Sequence, residues 1–358
     1  MNYGNIVLKP DEKAVFSLRE LYNKYGYTHY KMGKFEEYDL YAGNRSFLIS
    51  DNILTFTDTN GRLMALKPDV TLSIVKNILS GDTATHKFFY NENVYRTSVS
   101  SGGFREIMQT GLECIGKIDT YLTCEVLSLA RESLLLMSEE SLLVLSHMGY
   151  TLGLLEACDL SDKQTALALE FIKSKNAGAI SVLADEAGVD GEKKEALVFV
   201  TKFYGKLEKA CREIKKYLFN DRMRTACLEL CEILDAMGEG ALFVDFSVVN
   251  DMSYYDGIIF NGYINGISES ILSGGRYDKL VSKMGKKAGA IGFAVYIDLL
   301  ERFGENEKGY DADVLLVYGE VGASRVLSAV KALIGEGKTV KTVREDDGKG
   351  KYKEKKVL

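Results

Sequence analysis

The chain of 358 residues is 46% hydrophobic and 27% charged, a composition typical of a soluble globular protein with two or three structural units. A formal net charge of -6 argues against a dominant nucleic-acid-binding surface, because binding to phosphates relies on clustered lysine and arginine. No apolar run approaches the roughly 18 residues of a membrane helix, and the first residues lack the pattern of a signal peptide. We therefore expect a cytoplasmic protein without a membrane partner.

The cysteines and histidines show no grouping typical of a metal site. The six cysteines are scattered without a C-x-x-C pair, and the three histidines do not cluster. Cys227 and Cys231 share one face of a predicted helix, but no further cysteine or histidine is near them in the sequence. We expect reduced thiols, no metal and no cofactor.

The first third of the chain predicts a helix followed by strands. Apolar residues recur at helical spacing over residues 14–25. Short alternating runs in RSFLIS, ILTFTD and RLMALK predict strands, and Asn60 with Gly61 between the last two predicts a hairpin turn. LKPDVTLSIVKNIL predicts a loop and a helix. KFFYNENVYRT and FREIMQTGLECIG predict two longer strands that are joined by SVSSGG.

Residues 120–240 differ, because apolar residues recur there at helical spacing, which predicts a helical insertion. Strands return in ALFVDFSVV and SYYDGIIFNGYI, and GFAVYIDLLERF predicts a helix. The segment from DADVLLVYG to KTVKTVRE predicts a β-α-β unit, and we expect the basic tail GKGKYKEKKVL to be solvated. Antiparallel strands with helices set apart from them predict an α+β fold.

Polar residues line up on one face of the strand FREIMQTGLECIG. With a period of two, Gln109 and Glu113 share a face about 13 Å apart, with Gly111 between them. A glycine in this position leaves room for a ligand to lie against the backbone. The same pattern also fits the solvated face of an antiparallel sheet.

Two other segments carry similar side chains, each with a structural alternative. Asp69 and Thr71 precede a helix, so they are either available to an ammonium group or cap that helix. Tyr254 and Tyr255 are expected on opposite faces of a strand, so that only one reaches a given pocket, and a buried tyrosine is often purely structural. SGGRYDKL matches no phosphate-binding motif and indicates a turn before a helix.

In this order, the segments resemble the catalytic core of histidyl-tRNA synthetase, a class II synthetase with an antiparallel sheet. LKPDVT resembles the family's loop of Leu-Arg-Pro-Glu-Gly-Thr type, and FFYNENVYRTSVSSGGFREIMQTGLECIG resembles its motif 2 hairpin. SYYDGIIF and SGGRYD resemble the two histidine-specific motifs, and GFAVYIDLL resembles motif 3. The resemblance implies a class II histidine-binding domain at 1–305, which includes the insertion, and a small truncated α/β segment at 306–358.

The resemblance also implies a nearly complete histidine pocket. In that family, equivalent residues contact the α-amino group, the imidazole, or the carboxylate and α-phosphate. The positions that match are Asp69, Thr71 and Gln109 for the α-amino group, Glu113, Tyr255 and Tyr277 for the imidazole, and Arg96 for the carboxylate or phosphate, with Tyr254, Gly274, Gly275 and Arg276 in the same motifs.

The groups that bind ATP in the synthetases depart from the family pattern. Arg96 is followed by Thr97 and Ser98, where the family has a glutamate. Asn250 stands in place of the histidine-specific catalytic arginine, and Leu299 in place of the motif 3 arginine. Because a transferring phosphate needs positive groups aimed at it, these differences predict that adenylation is lost.

A histidine pocket without adenylation resembles the regulatory subunits of ATP phosphoribosyltransferase. The resemblance implies a non-catalytic chain that a short catalytic subunit needs for activity in the first step of histidine biosynthesis, and that senses histidine for feedback inhibition. It also implies self-dimers within a hetero-oligomer. We expect no tRNA partner, because only about 50 residues follow the core. A short histidyl-tRNA synthetase, and a paralogue that modifies a protein or makes a metabolite, are the alternatives.

Overall fold

The computed structural model describes residues 8–44, 48, 53–78, 84–97, 103–249, 254–300 and 310–358. The chain divides into two compact units, residues 1–300 and 301–358. The predicted strand RSFLIS, the connection SVSSGG, Ser98 and Asn250 lie wholly or largely outside the described residues.

The secondary structure alternates between strands and helices along the chain. The strands are β1 (Thr28–His29), β2 (Phe35–Glu37), β3 (Thr55–Thr57), β4 (Leu63–Leu66), β5 (His86–Thr97), β6 (Phe104–Gly116), β7 (Ser141–His147), β8 (Tyr204–Lys206), β9 (Phe243–Asp245), β10 (Ile258–Ile264), β11 (Leu272–Arg276), β12 (Gly289–Tyr296), β13 (Ala312–Val317), β14 (Val340–Val343) and β15 (Tyr352–Val357). The helices are α1 (Pro10–Lys24), α2 (Tyr38–Ala42), α3 (Thr71–Asn77), α4 (Thr120–Met137), α5 (Met148–Ala157), α6 (Asp162–Lys173), α7 (Ala177–Glu186), α8 (Gly191–Lys202), α9 (Leu207–Ile214), α10 (Asp221–Met237), α11 (Asp278–Lys283) and α12 (Ala323–Gly335).

A nine-stranded sheet forms the centre of the first unit, in the order β1-β5-β6-β12-β11-β10-β7-β9-β8. Within the six strands from β5 to β7 in this order, every pair of neighbours is antiparallel. β1 pairs in parallel with β5, and β9 pairs in parallel with β7. The prediction of an α+β fold with an antiparallel core is therefore confirmed.

The period of two in β6 directs side chains into two separate cores. Leu112 and Cys114 enter a large core with Tyr22 of α1 and the apolar side of α4. Ile115 faces the opposite core, to which α3, α11 and the small sheet β2-β4-β3 contribute. Both faces of the sheet are therefore covered, and Gln109, which is 3% exposed, does not lie on a solvated face.

The hairpin predicted at Asn60 and Gly61 is present between β3 and β4. The Asp58 carboxylate accepts hydrogen bonds from the backbone N–H groups of Asn60 and Arg62, both at 2.8 Å. Gly61 has a φ of +80°, a conformation that a glycine adopts without steric cost.

The prediction of a helical insertion over 120–240 misses a central strand. SLLVLSH forms β7, which pairs with both β10 and β9 inside the sheet. A short, continuous apolar run fits a buried strand as well as a buried helix, so periodicity alone does not separate the two. The part that is nearly all helix is α5–α10, residues 148–237, which we call the helical module. Four of its helices, α6, α7, α8 and α10, begin at side chains that accept backbone hydrogen bonds, at Ser161, Asn176, Asp190 and Asn220.

The first part of GFAVYIDLLERF was also predicted wrongly, because β12 runs as a strand to Tyr296 and helix begins only at Asp298. This strand is covered on both faces, so its apolar residues do not alternate with polar ones.

The second unit is a three-stranded parallel sheet with one helix. β13 lies between β14 and β15, and Val314 and Leu316 of β13 pack with Leu333 of α12. The tail that we expected to be solvated instead forms β15, and Leu358 packs against the same apolar cluster. Backbone pairing with β13 stabilises this lysine-rich strand while its charged side chains reach water.

Within the described residues, every helix is too short or too polar to cross a lipid bilayer.

Because β7 lies inside the central sheet, we expect truncation of one of its buried side chains to destabilise the protein. We expect Leu145→Ala to lower the free energy of unfolding by about 2–5 kcal/mol, because Leu145 is fully buried and truncation leaves a cavity. Leu136→Ala, on α4 with 52% exposure, should cost less than about 1 kcal/mol. Urea denaturation measures both, and equal costs would contradict the core position of β7.

Candidate functional site

A cavity of about 390 Å³ lies over strands β5, β6, β11 and β12, on the side of the sheet that carries α3. Of the eleven residues that the sequence predicted to contact histidine, eight line this cavity. They are Asp69, Thr71, Arg96, Gln109, Glu113, Tyr254, Tyr255 and Tyr277. The remaining three, Gly274, Gly275 and Arg276, do not line it.

Glu113 lies at the buried end of the cavity and is 3% exposed. Thr71 Oγ1 donates a hydrogen bond to Glu113 Oε1 at 2.6 Å, and the Tyr277 hydroxyl donates to Glu113 Oε2. Burial raises the pKa of Glu113 to about 8, an effect that the two hydrogen bonds only partly offset. Gly292, opposite on β12, makes room for the carboxyl, since a Cβ there would collide with Glu113 Oε2.

Asp69 both caps a helix and lines the cavity. Its Oδ1 accepts a hydrogen bond from the Leu72 backbone N–H at 2.8 Å, so the capping alternative is confirmed. Burial raises the pKa of Asp69, although the nearby charge of Arg96 acts in the opposite direction. Arg96 itself donates from Nε to the Pro68 carbonyl at 3.1 Å. Thr71 does not act as a cap, because its hydroxyl is directed to Glu113.

A buried ion pair holds the loop that carries Asp69. Lys67, which is 1% exposed, pairs with Glu92 of β5. The Lys67 backbone N–H also donates to the Lys34 carbonyl at 3.2 Å, and its carbonyl accepts from the Tyr95 N–H at 2.9 Å. The loop is therefore fixed between the small sheet and β5, which places Asp69 against the cavity.

Tyr254 and Tyr255 both line the cavity, so the prediction that only one would reach it was wrong. The two residues lie before β10, which begins at Ile258, and a turn does not impose the alternation of a strand. Their ring centroids are 4.6 Å apart, and the Tyr254 ring is 5.6 Å from that of Tyr277. The wall opposite β6 is therefore a cluster of three phenols.

The space over the glycines of SGGRYDKL is occupied by other atoms of the protein and is not part of the open cavity. Gly274 and Gly275 lie inside β11, a central strand, and α11 begins at Asp278 as the turn-before-helix interpretation predicted. A Cβ on Gly275 would lie 2.7 Å from Cδ1 of Tyr255, so this glycine lets the Tyr255 ring pack on the sheet. Gly111 likewise leaves room for the Tyr90 hydroxyl.

Arg276 is directed away from this cavity. Its guanidinium pairs with Asp278 at 2.9 Å and lines a second cavity, of about 350 Å³, with His147 and Glu229. Tyr277 follows β11 directly and its N–H still bonds to the Ala290 carbonyl of β12 at 2.9 Å, so it faces the side opposite to Arg276 and reaches the first cavity.

Eight of the sixteen described lining residues were not predicted from the sequence, and the three of these with long polar side chains are Tyr90, Tyr296 and Lys173. Tyr90 and Tyr296 pair across the sheet with Gly111 and Gln109, so the period of two along β5 could have identified Tyr90. Lys173 comes from α6 of the helical module, and no sequence signal separates it from other surface lysines.

The cavity suits a small ligand with nitrogen donors at both ends. Carboxyl and hydroxyl oxygens accept from ammonium or imidazole N–H groups, and Arg96 and Lys173 are the cations among the described lining residues. No group of three or more His, Cys, Asp or Glu side chains in the described ranges is arranged to hold a metal ion.

Comparison with known proteins identifies the relatives of this chain. A family model for histidyl-tRNA synthetase matches residues 8–300. An ATP phosphoribosyltransferase regulatory subunit from Clostridium kluyveri is 30% identical over 93% of this chain and 88% of its own length.

Two solved structures share the fold. One, an ATP phosphoribosyltransferase regulatory subunit/histidyl-tRNA synthetase from Bacillus halodurans C, is 23% identical with a TM-score of 0.77, covering 100% of this chain and 97% of that one. The other, the ATP phosphoribosyl transferase (HisG:HisZ) complex from Thermotoga maritima, is 19% identical with a TM-score of 0.61, covering 80% of this chain and 97% of that one. By the family model and the Clostridium relative, the chain belongs to the histidyl-tRNA synthetase-like family of ATP phosphoribosyltransferase regulatory subunits.

Proposed function

We propose that this regulatory subunit binds L-histidine in the cavity and, in complex with a short catalytic phosphoribosyltransferase chain, mediates feedback inhibition. The observation that carries the proposal is the buried carboxyl of Glu113, held between Thr71 and Tyr277 at the end of a pocket that also presents Asp69 and Gln109. These groups supply acceptors for an imidazole N–H at one end and for an ammonium group at the other.

Inhibition requires more than binding. Histidine changes activity only if it binds one state of the complex more tightly than another, since equal affinity for both states shifts no population. The cavity is lined by residues of the sheet, of the segment before β10 and of the helical module, so a ligand there contacts parts of the chain that are not adjacent in sequence.

The catalytic partner and the cellular location belong to the same proposal. The Thermotoga complex contains a chain of similar fold together with a second chain type, which supports a hetero-oligomer here. Self-dimers within that assembly are part of the proposal. All six cysteines are free thiols, in keeping with a reducing cytoplasm.

We further propose that the chain does not adenylate histidine and does not bind tRNA. Leu299 is 9% exposed and apolar at the position where the synthetases have a motif 3 arginine, so it offers no charge to ATP. Asn250 and Ser98 lie outside the described residues, and their contribution rests on the sequence alone.

The exchange reaction separates this proposal from a short histidyl-tRNA synthetase. We expect the purified chain to show no histidine-dependent exchange of pyrophosphate into ATP, because the groups that stabilise the transferring phosphate are replaced. Addition of the short catalytic chain should instead yield histidine-inhibited ATP phosphoribosyltransferase activity. Clear exchange by the chain alone would support the synthetase alternative or the paralogue that activates an amino acid for another product.

Replacement of the Glu113 carboxyl tests the pocket. We expect Glu113→Gln to weaken histidine binding about 10- to 100-fold, because a charge-assisted hydrogen bond becomes a neutral one. Inhibition of the complex should weaken in parallel, while size-exclusion chromatography still shows assembly. Glu106→Gln is the matched control, because Glu106 lies on the same strand and is exposed. Unchanged affinity in the Glu113 variant, measured by calorimetry, would contradict the pocket assignment.

The raised pKa of Glu113 predicts how affinity depends on pH. The free protein holds this carboxyl protonated below a pKa of about 8, and free histidine holds its ring neutral above a pKa of roughly 6.5. If the complex pairs ionised Glu113 with an imidazolium, binding between these values only moves a proton from protein to ligand. We therefore expect constant affinity there, net proton release below this window and net proton uptake above it.

Calorimetry in buffers of different ionisation heat measures the protons directly. Glu113→Gln should lose the proton uptake above about pH 8, because its neutral amide does not favour the imidazolium. Proton uptake that persists in this variant would show that another group titrates.

A further inference from the structure

We propose that Lys173, at the carboxyl end of α6, binds the α-carboxylate of the amino acid, so that the helical module completes the ligand site. This inference rests on the proposed function, because it takes histidine as the ligand. It adds a specificity residue that distinguishes an amino acid from the corresponding amine or alcohol, and it makes the module part of the binding site.

The charges around the cavity point to this residue. A zwitterionic ligand brings one carboxylate, which needs a cation when it leaves water. Arg96 uses its Nε for the Pro68 carbonyl at 3.1 Å, and its charge is already shared with Asp69, a carboxylate of the protein. The side chain of Lys173, the other cation of the described lining, makes no hydrogen bond or ion pair with the described residues.

The turn after α6 holds Lys173 in place. Lys175 has a φ of +53°, which is uncommon for a residue with a side chain, and its Nζ lies 2.5 Å from Asp245 Oδ2 at the end of β9. The other oxygen of Asp245 accepts from the Ser247 N–H at 2.9 Å and from its hydroxyl at 2.6 Å. The ion pair of Lys175 with Asp245 therefore connects the end of α6 to the sheet, two residues after Lys173.

The different exposure of the lining residues indicates how the ligand is oriented in the cavity. Glu113 and Tyr277 are 3% and 1% exposed, whereas Lys173 is exposed at the opening. The ring of histidine thus lies at the closed end, and its carboxylate lies at the mouth beside the module. A bound ligand then joins the sheet to the module through one ion pair, which gives histidine a contact that depends on how the two are arranged.

A simpler role for Lys173 makes a different prediction. A lysine in the last turn of a helix interacts favourably with the helix dipole, and this interaction does not depend on a ligand. Loss of a dipole interaction would change stability, and any effect on binding would be the same for ligands with and without a carboxylate.

The test uses two ligands on the full-length chain and its variants. L-Histidine carries the carboxylate, and L-histidinol has the same ring and amine with a hydroxymethyl group instead. We expect Lys173→Met to weaken histidine binding about 10-fold or more and to leave histidinol binding within about twofold, because one charge-assisted hydrogen bond is lost only in the first case. Lys173→Arg should retain most of the histidine affinity. Lys163→Met, at the exposed start of the same helix, is the control.

Each other outcome overturns the inference in a recognisable way. Equal losses for both ligands would assign Lys173 a structural role, and unchanged histidine affinity in Lys173→Met would leave the carboxylate to Arg96. If the unaltered chain binds neither ligand, the proposed function itself fails together with this assignment. An unchanged melting temperature in Lys173→Met establishes that any loss is not caused by unfolding.

Discussion

The buried carboxyl of Glu113 is the constraint on which the site depends. A carboxyl group that leaves water must find hydrogen-bond partners or bind a proton, and here both occur. Its partners come from the start of α3 and the residue after β11, so one buried group connects three separate elements. The same group also explains why β12 has glycine at position 292, where any side chain would occupy the position of the carboxyl.

The pair of Lys67 and Glu92 extends this arrangement to the edge of the pocket. Both charges are largely buried, so removal of either would leave the other unpaired in a low-dielectric region. The pair keeps the Asp69 loop against β5, while Lys175 and Asp245 keep the end of α6 against the sheet. These two ion pairs tie the loop and the helical module, which both contribute to the cavity lining, to the sheet.

Much of the fold and half of the described cavity lining could be predicted from the sequence. The hairpin at Asn60 and Gly61, the strand β6 and the contact set of Asp69, Gln109 and Glu113 follow from turn chemistry, a period of two and the family motifs. The errors have two causes. β7 and β12 are covered on both faces, so they lack the alternation that identifies a strand. The two tyrosines before β10 were assigned to opposite faces because the start of that strand was placed too early.

By itself the sequence determined the chemistry of the pocket, because the residue types and their order carry the acceptors, the phenols and the family motifs. Only the tertiary structure decided which groups share a cavity. It turned Arg276 to the opposite side of β11, filled the space over Gly111 with the Tyr90 hydroxyl, and brought Lys173 to the opening from a distant helix. The physical reason is that these positions are set by strand pairing and by contacts between distant segments, and local residue patterns do not encode either.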